Sequence, residues 1–282
     1  MWLRPKGARR YFAEGIIKTE DRTKMPLSVA IIARNEEERL PDCLRSVRFA
    51  DDVVVVDSGS VDNTVQIAKS FGARVFVREW MGFSGQKQFA VDQCRHDWVL
   101  ILDADERVSE ENATWIQREV AAEAQVASAF SIKRKNLLYG RWIEHCGWWP
   151  DRIVRLVNKN DGRFDGRAVH EKWLSRGNVG KLDVFIEHRS FRNCSELVDK
   201  MENYSSLAAE ELFKKGQRAN ATTPVFHGVW MFIKTYFLEM GLLDGFEGFL
   251  ISCMNAGGSF LKYAKLREKG LAGNKRGENN CL

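Results

Sequence analysis

Apolar runs and helical spacings alternate along the first half of the chain. Four short apolar runs rich in β-branched residues are each followed by helical spacing, as expected for strands buried on both faces of a sheet. These runs are LSVAIIA (27–33), DDVVVVD (51–57), ARVFVRE (73–79) and HDWVLILDAD (96–105). Helices are predicted after them, including 40–47, 84–94 and, with Ser109 as N-cap, 109–124. The alternation predicts an α/β fold with a mostly parallel, Rossmann-like sheet, whose ligands bind where the strands end.

The pattern changes between residues 127 and 190. Tryptophans cluster there, and the apolar alternation becomes short and strand-like, as in RIVRLV (152–157) and KLDVFIEH (181–188). We therefore expect a second, mixed half that covers the carboxyl edge of the parallel sheet. Residues 193–216 then have the spacing of a polar, amphipathic helix.

The C-terminal segment 224–264 predicts two amphipathic helices joined at Asp244-Gly245. Its longest uncharged stretches, 219–233 and 248–261, are shorter than the roughly 18–20 residues that span a bilayer. Apolar helices flanked by Lys and Arg are typical of segments that lie in a membrane interface, which is the interpretation we favour. A helical hairpin packed on the catalytic domain, or a dimer interface, is the alternative.

Charge and composition narrow the class of partner. Of 282 residues, 44% are hydrophobic, which suits a globular chain, and the formal net charge is +5. The positive charge lies at the two ends, while residues 25–212 are slightly acidic. Basic ends predict an anionic partner surface, and the acidic body disfavours nucleic acid. The six cysteines are scattered singly, without CxxC pairs, which favours a reducing cytosol. The basic N-terminus lacks the apolar core of a secretory signal.

Two acidic positions follow apolar strands and carry the candidate chemistry. Asp103 and Asp105 end the fourth strand, and two carboxylates one residue apart can hold a hard divalent cation such as Mg²⁺ or Mn²⁺. A solvated acidic turn is the alternative. Asp57 ends the second strand, where an acid often binds a ribose or a base. The turn after the first strand, Ala33-Arg34-Asn35-Glu36, lacks the GxGxxG pattern, which disfavours a dinucleotide oxidoreductase. A P-loop is also missing from the sequence.

Three segments in order resemble the inverting family 2 glycosyltransferases of the GT-A fold. They are LSVAIIARNEEERLPDCLRSV (27–47), VVVVDSGSVDNT (53–64) and WVLILDADE (98–106). Later segments are similar to one subgroup, the lipopolysaccharide core β-glycosyltransferases: PDRIVRL (150–156), GRFDGRAVHE (162–171), the stretch 236–256 and KYAKL (262–266).

The resemblance implies a nucleotide-sugar donor, usually UDP-linked, together with Mg²⁺ or Mn²⁺. It places the nucleoside near the first two strands and the metal on the paired aspartates, Asp103 and Asp105. The donor set also includes Lys87 and Gln88, on a helix near the donor edge. Arg155 completes it as an arginine that could bind the diphosphate. The predicted donor-binding residues are Ala33, Arg34, Asn35, Glu36, Asp57, Lys87, Gln88, Asp103 and Arg155.

The catalytic base is expected in the second half of the chain. Glu171, in Val169-His170-Glu171, lies where many family members have an acidic motif, although His-Glu stands here in place of the commoner Glu-Asp. Asp151 is the alternative base. His170 is a candidate metal or phosphate ligand, with a structural histidine as the competing interpretation. The base would remove a proton from an acceptor hydroxyl as it attacks the anomeric carbon, which inverts an α-donor into a β-glycoside.

These inferences predict a peripheral glycosyltransferase on the cytoplasmic face of a bacterial inner membrane. It would transfer a hexose, with glucose favoured, from a UDP-sugar to a lipid-linked lipopolysaccharide core. We expect a basic extension at 1–24, the GT-A catalytic domain at 25–192 and a membrane-associating helical region at 193–282. The rivals are a polyprenyl-phosphate sugar synthase, a phosphatase of the haloacid dehalogenase type and a non-catalytic membrane adaptor. The phosphatase is disfavoured because its acidic motif belongs on the first strand.

Overall fold

A single mixed sheet organises the catalytic part of the molecule. The computed structural model describes residues 25–123, 127–167 and 171–279, so the N-terminal extension predicted at 1–24 lies outside the described residues. The strands are β1 Leu27–Ala33, β2 Asp52–Asp57, β3 Arg74–Val77, β4 Trp98–Asp103, β5 Glu106–Arg107, β6 Ala129–Leu138, β7 Arg141–Ile143, β8 Asp151–Asn158, β9 Gly162–Phe164, β10 Trp173–Ser175 and β11 Val179–His188. The order in the main sheet is β3-β2-β1-β4-β8-β6-β11-β5, with β7 paired to β6, while β9 and β10 pair separately.

Most strands of this sheet end at the same edge. β1, β2, β3 and β4 are mutually parallel. β8 is antiparallel to both of its neighbours, β4 and β6, so β6 runs in the same direction as β4. β11 is parallel to β6. The carboxyl ends of β1, β4, β6 and β11 therefore share one edge, where the chemistry-bearing residues gather.

The predicted second half reaches that edge at Glu171 but does not form a separate layer over it. The predicted strands exist, but β6, β8 and β11 hydrogen-bond into the same sheet and extend it sideways. Their backbone groups would otherwise have lacked partners, and joining the free side of β4 satisfies them. The GT-A type of α/β fold with a mostly parallel sheet is confirmed.

β1 lies at the centre of the core because both of its faces are covered. All seven of its residues are buried. Val29 and Ile31 pack in one apolar cluster with the helix that follows β1, and Ala30 and Ile32 pack in another on the opposite face. Each fully buried Val, Leu or Ile contributes about 1.5–3 kcal/mol. A rigid central strand results, and it holds the loop at its carboxyl end in place.

The helices lie close to their predicted positions. They are α1 Leu40–Ser46, α2 Thr64–Ser70, α3 Gly82–Asp92, α4 Glu110–Glu123, α5 Cys194–Lys214, α6 Thr223–Ile233 and α7 Gly245–Asn279. α6 continues into a π-helical turn, Lys234–Leu238, and a 3₁₀ turn, Gly241–Asp244, precedes α7. α5 begins at Asn193, whose side chain accepts a hydrogen bond from the backbone of Glu196, as an N-cap does.

The C-terminal helices are fastened to the sheet at a buried junction. Asp244 is 3% exposed and accepts hydrogen bonds from the backbone and the imidazole of His145, at 2.8 and 3.0 Å. A Cβ on Gly248 would lie 1.9 Å from a carbonyl oxygen of Gly241, so only glycine permits this approach. α7 also packs against α5, where Gly257 comes close to Met201. The helical region is therefore an integral layer of the fold.

Much of the surface of α6 and the turns that follow it is apolar. Phe226, Leu238 and Phe246 are each more than 60% exposed. Further exposed apolar side chains surround them: Val225, Val229, Trp230, Ile233, Phe237, Met240, Leu242, Leu243 and Phe249. None of the helices in the described part of the chain is both long and apolar enough to cross a bilayer.

Candidate active site

The strand register brings the predicted donor acids to one place. Ala33 pairs with Asp57, and Ile32 pairs with Asp103, so the tips of β2 and β4 flank the tip of β1. The loop after β1 carries Asn35 and Glu36 into the same region. Because these strands are parallel, no rearrangement of the backbone is needed to group their C-terminal residues.

Asp57 shapes the loop that follows β2. Its carboxylate accepts hydrogen bonds from the backbone nitrogens of Gly59 and Ser60, at 2.9 and 2.8 Å, and from the Ser60 hydroxyl. Ser60 Oγ in turn accepts from the backbone of Asn35 at 2.8 Å, while Asn35 Oδ1 accepts from Val61 N at 2.9 Å. The side chains of Asp57 and Asn35 thus join the loops after β1 and β2. Their contact with a nucleoside remains a prediction.

Asp103 lies at the centre of a buried ion-pair cluster. Its carboxylate is 2.9 Å from Lys87 Nζ and 2.6 Å from an Arg155 guanidinium nitrogen, which also lies 2.7 Å from Glu106. Burial disfavours the charged carboxylate, but the charges of Arg155 and Lys87 outweigh it and hold the pKa of Asp103 well below its usual range. Two other predicted donor residues, Lys87 and Arg155, therefore both form ion pairs with Asp103.

Lys87 also binds the first candidate base. Its ammonium lies 2.7 Å from Glu171, so a single cation joins Glu171 to Asp103. Lys87 is 3% exposed because it shares the buried face of α3 with Ser84 and Val91, at helical spacing. The structure thus places Glu171 beside Asp103. More than sixty residues of sequence separate the two acids.

Asp151, the alternative base, forms an ion pair with an arginine, whereas Glu171 pairs with a lysine. Arg134 donates two hydrogen bonds to it, at 2.9 and 2.7 Å, from the neighbouring strand β6. Arg134 also approaches Glu106 at 3.7 Å, so Asp151 belongs to the rim of the same network. Both candidate bases are near the site, and Glu171 is the one linked to Asp103.

Asp105, the second predicted metal ligand, lies beside a buried histidine. Its carboxylate is 3.3 Å from His188 Nε2, and this histidine is held in turn by Asn136 Oδ1 at 2.6 Å. Burial raises the pKa of Asp105, but His188 more than compensates, so the net pKa is below its usual value. Asp105 is thus an ionised oxygen donor without a Lys or Arg partner in the described structure, whereas Asp103 is covered by two cations.

The donor chemistry therefore fits Mg²⁺ or Mn²⁺ at Asp105. A hard cation accepts carboxylate oxygens and completes its shell with phosphate oxygens and water. Within residues 25–123, 127–167 and 171–279, no group of three or more His, Cys, Asp or Glu residues is arranged to hold a metal. A bound nucleotide would have to supply further ligands. His170, the third predicted ligand, lies outside the described residues.

Gln88 does not join the site. Its side chain accepts a hydrogen bond from Phe164 N at 2.9 Å and donates one to Asp92 at 2.8 Å. One residue further along an α-helix turns the side chain by about 100°, which carries it away from the face of Lys87. Gln86 faces inward instead and donates to Ser58 Oγ in the loop after β2, at 2.9 Å.

Glu36, another predicted donor residue, has a pKa shifted in the opposite direction from that of Asp103. Burial raises the pKa of Glu36 from its ordinary value of 4.5 to about 7, and Asp105 adds to the rise while Arg39 opposes it. Arg39 lies 3.6 Å from Glu36 and 2.7 Å from Glu196 on α5. Arg39 thereby joins the loop after β1 to α5, a helix that comes after all strands of the sheet in the sequence.

α5 supplies two side chains that the sequence did not single out. Lys200 and Tyr204 lie one helical turn apart on the face that carries Glu196. Burial lowers the pKa of Lys200, although the nearby Asp105 opposes that shift. Burial raises the pKa of Tyr204, and Glu171 adds to the rise. The amphipathic spacing of α5 was visible in the sequence, but the contacts of its inner face were not.

The sequence of this chain is similar to those of known glycosyltransferases. The family model described as glycosyl transferase family 2 matches residues 28–176. An uncharacterised glycosyltransferase of Rickettsia typhi is 34% identical over 87% of this chain and 88% of its own length. The lipopolysaccharide core biosynthesis glycosyltransferase LpsC of Rhizobium meliloti is 30% identical over 87% of this chain and 93% of its own. Among solved structures, Staphylococcus aureus TarS 1–349 in complex with UDP aligns with a TM-score of 0.46 at 14% identity, covering 88% of this chain and 92% of that one. On the family model and the full-length relatives, the chain belongs to glycosyltransferase family 2.

Proposed function

We propose that this glycosyltransferase transfers a hexose, with glucose as the favoured sugar, from a UDP-sugar to a lipid-linked lipopolysaccharide core and forms a β-glycosidic bond. The observation that carries the proposal is the buried Asp103–Lys87–Glu171 cluster at the carboxyl edge of the sheet. Support for the acceptor class comes from the full-length relative named for lipopolysaccharide core biosynthesis. The linkage follows from a single displacement at the anomeric carbon.

Some residues of the site would act on the leaving diphosphate, and one would act on the acceptor hydroxyl. Asp105 would hold Mg²⁺ or Mn²⁺, which when bound offsets the charge of the departing diphosphate. Lys87 and Arg155 present two further positive charges at the same edge. Glu171 would accept the proton of the acceptor hydroxyl, and its contact with Lys87 keeps it facing the donor acids.

The proposed location is the cytoplasmic face of the bacterial inner membrane, with the protein bound peripherally. The exposed apolar side chains of α6 and the following turns support membrane binding, because a surface of this kind is unfavourable in water. Basic residues such as Lys234 and Lys262 lie on the same helical region and suit anionic lipid. A lipid-linked acceptor would then be reached from the membrane surface.

The decisive experiment measures UDP release from a panel of UDP-sugars. Each reaction contains detergent-solubilised core lipid, with Mg²⁺, with Mn²⁺ or with a chelator. We expect release from one sugar, dependent on both acceptor and metal. Glu171→Gln should lower kcat by about 100-fold or more, the range of general base catalysis. Gln88→Ala, on the outward face of α3, is the matched control and should leave turnover near that of the wild type.

Two results would contradict the proposal. Transfer to a polyprenyl phosphate with Glu171→Gln as active as the wild type would indicate a polyprenyl-phosphate sugar synthase, because a lipid phosphate needs no base. A folded protein that neither binds UDP-sugars with metal nor releases UDP would indicate a non-catalytic adaptor.

A further inference from the structure

A cavity opens at the same edge of the sheet, beyond the predicted donor acids. Its volume is about 310 Å³, and it is lined by arginines and aromatic side chains at the ends of β5, β6 and β11. The residues that matter are Arg39, Arg107, Arg189, Arg192, Tyr139 and Phe191. Four guanidinium groups and one carboxylate, that of Glu38, line the cavity, so the net charge of its lining is positive and suits an anion.

The backbone places this cavity beside the candidate metal ligand. Arg107 follows Asp105 by two residues, and the Arg189 amide donates to the Asp105 carbonyl oxygen at 3.0 Å. β6 and β11 end at the edge where β1 and β4 end. A molecule in the cavity would therefore lie next to the donor, on the side of the sheet edge away from β2 and Asp57.

Two of the four arginines form ion pairs that connect elements of the fold. Arg39 binds Glu196 at 2.7 Å, and Arg192 binds Glu38 at 2.9 Å and also pairs with Glu196. These contacts join α5 to the loop after β1. They account for Arg39 and Arg192 without a ligand.

Arg107 and Arg189 are arranged differently. Arg107 stands directly opposite Glu187 in the β5–β11 pair, so Arg189, two residues beyond Glu187, shares its face. Arg107 pairs with Asp42, while the ion-pair partner of Arg189 is Glu187 at 3.8 Å. The Arg189 side chain is 44% exposed and its contact with Glu187 is long, so its guanidinium has N–H donors left for a ligand.

We propose that Arg107 and Arg189 form an acceptor subsite for an anionic substituent, a phosphate or a carboxylate, on the sugar that receives the hexose. The inference rests on the proposed function, because it assumes an oligosaccharide acceptor. The guanidinium groups bind the oxyanion through paired N–H donors. The rings of Tyr139 and Phe191 line the same cavity and offer apolar faces to the sugar ring.

The test compares Arg189→Gln with Arg189→Lys and a matched control. Arg176→Gln changes an exposed arginine in the turn between β10 and β11, at the opposite edge of the sheet. We expect Arg189→Gln to raise the acceptor KM by about tenfold or more, the loss expected for a charge-assisted hydrogen bond. Arg189→Lys should recover part of that loss. The KM for the UDP-sugar and the slow hydrolysis of donor by water should stay unchanged, because the donor acids are untouched.

The acceptor is then varied to identify the anion. Core lipid is used untreated, after phosphatase treatment and after methylation of its carboxyl groups. The treatment that removes the recognised group should raise the acceptor KM of the wild type and leave that of Arg189→Gln unchanged. The subsite is overturned if Arg189→Gln behaves like Arg176→Gln, or if it weakens untreated and doubly treated acceptors equally.

A direct binding measurement separates this proposal from the proposed function. Calorimetry with inorganic phosphate and with acetate uses the full chain and needs no turnover. Weaker binding of either anion to Arg189→Gln than to Arg176→Gln, in a protein that transfers nothing to core lipid, would support the subsite and reject that acceptor. Equal binding to the two variants, together with normal transfer, would reject the subsite and retain the function.

Discussion

At the residue scale, one lysine decides how the acids of the site are arranged. Lys87 is buried between Asp103 and Glu171 and contacts both. A buried carboxylate without a cation would be costly, so the lysine makes two acids at one edge compatible with folding. Glu36 avoids the cost of a buried charge in another way. Burial raises its pKa to about 7, so the carboxyl stays protonated below that pH.

The raised pKa of Glu36 predicts a pH dependence of stability. Below about pH 4.5 this carboxyl is protonated in both the folded and the unfolded chain, and burial then costs nothing. Between about pH 4.5 and pH 7 the unfolded chain ionises this carboxyl while the folded protein keeps it protonated, so the free energy of unfolding falls over this range and levels off above it. A shift of this size corresponds to about 3 kcal/mol. We expect Glu36→Gln to gain stability relative to the wild type between pH 5 and pH 8.

Urea denaturation of both proteins across that pH range measures the effect. The difference in the free energy of unfolding between them isolates Glu36 from every other titrating group. A difference that stays constant from pH 5 to pH 8 would show that Glu36 has an ordinary pKa in the folded protein.

At the scale of elements, the helices after the sheet have two distinct faces. The face of α5 that carries Glu196 brings Lys200 and Tyr204 near the site, and α7 packs against α5 at Gly257. The outer surface of α6, its following turns and the start of α7 exposes large apolar side chains, among them Phe226 and Phe246. One helical layer thus completes the site on one side and presents an apolar surface on the other.

That apolar surface predicts binding to lipid vesicles. Phe226→Glu combined with Phe246→Glu should lower co-sedimentation with phosphatidylglycerol vesicles by at least about tenfold, because each change removes a large apolar side chain and adds a repelled charge. Hydrolysis of donor by water should remain. Val179→Glu, an exposed apolar position at the start of β11, is the control. Equal binding of the double variant and the control would locate the membrane surface elsewhere or remove it.

At the scale of the whole molecule, the junction at Asp244 makes the sheet and the helical region one structure. This buried carboxylate accepts hydrogen bonds from the backbone of Glu144 and from the backbone and ring of His145. Asp244→Ala would leave buried donors unsatisfied, which costs about 1–3 kcal/mol for each group. We expect a free energy of unfolding lower by about 2–4 kcal/mol, measured by urea denaturation.

The same variant tests the unity of the fold. Because the junction joins the two parts, Asp244→Ala should weaken both the sheet and the helices in a single transition monitored by tryptophan fluorescence and circular dichroism. Asp244→Asn keeps one acceptor and should lose less stability. Two separate transitions in the wild type would show that the helical region folds independently.

The sequence by itself determined the elements and the edge at which the chemistry occurs. Residues 27–33 form a strand at the predicted bounds, and α1, α3 and α5 begin and end within two residues of their predicted limits. This success has a local cause: apolar periodicity is a property of each segment, and parallel strands place their carboxyl ends at one edge. Asp57, Asp103 and Asp105 could therefore be named from the pattern alone.

Only the tertiary structure decided which side chains meet. The pairing of Lys87 with Glu171, 84 residues away, depends on the direction in which α3 faces, and the same rotation excludes Gln88. The sideways growth of the sheet through β8, β6 and β11 depends on long-range hydrogen bonds that no short segment encodes. Arg107 and Arg189 come onto one face for the same reason, since a strand register joins residues distant in sequence. Periodicity determines which face of an element is buried, but packing determines what that face contacts.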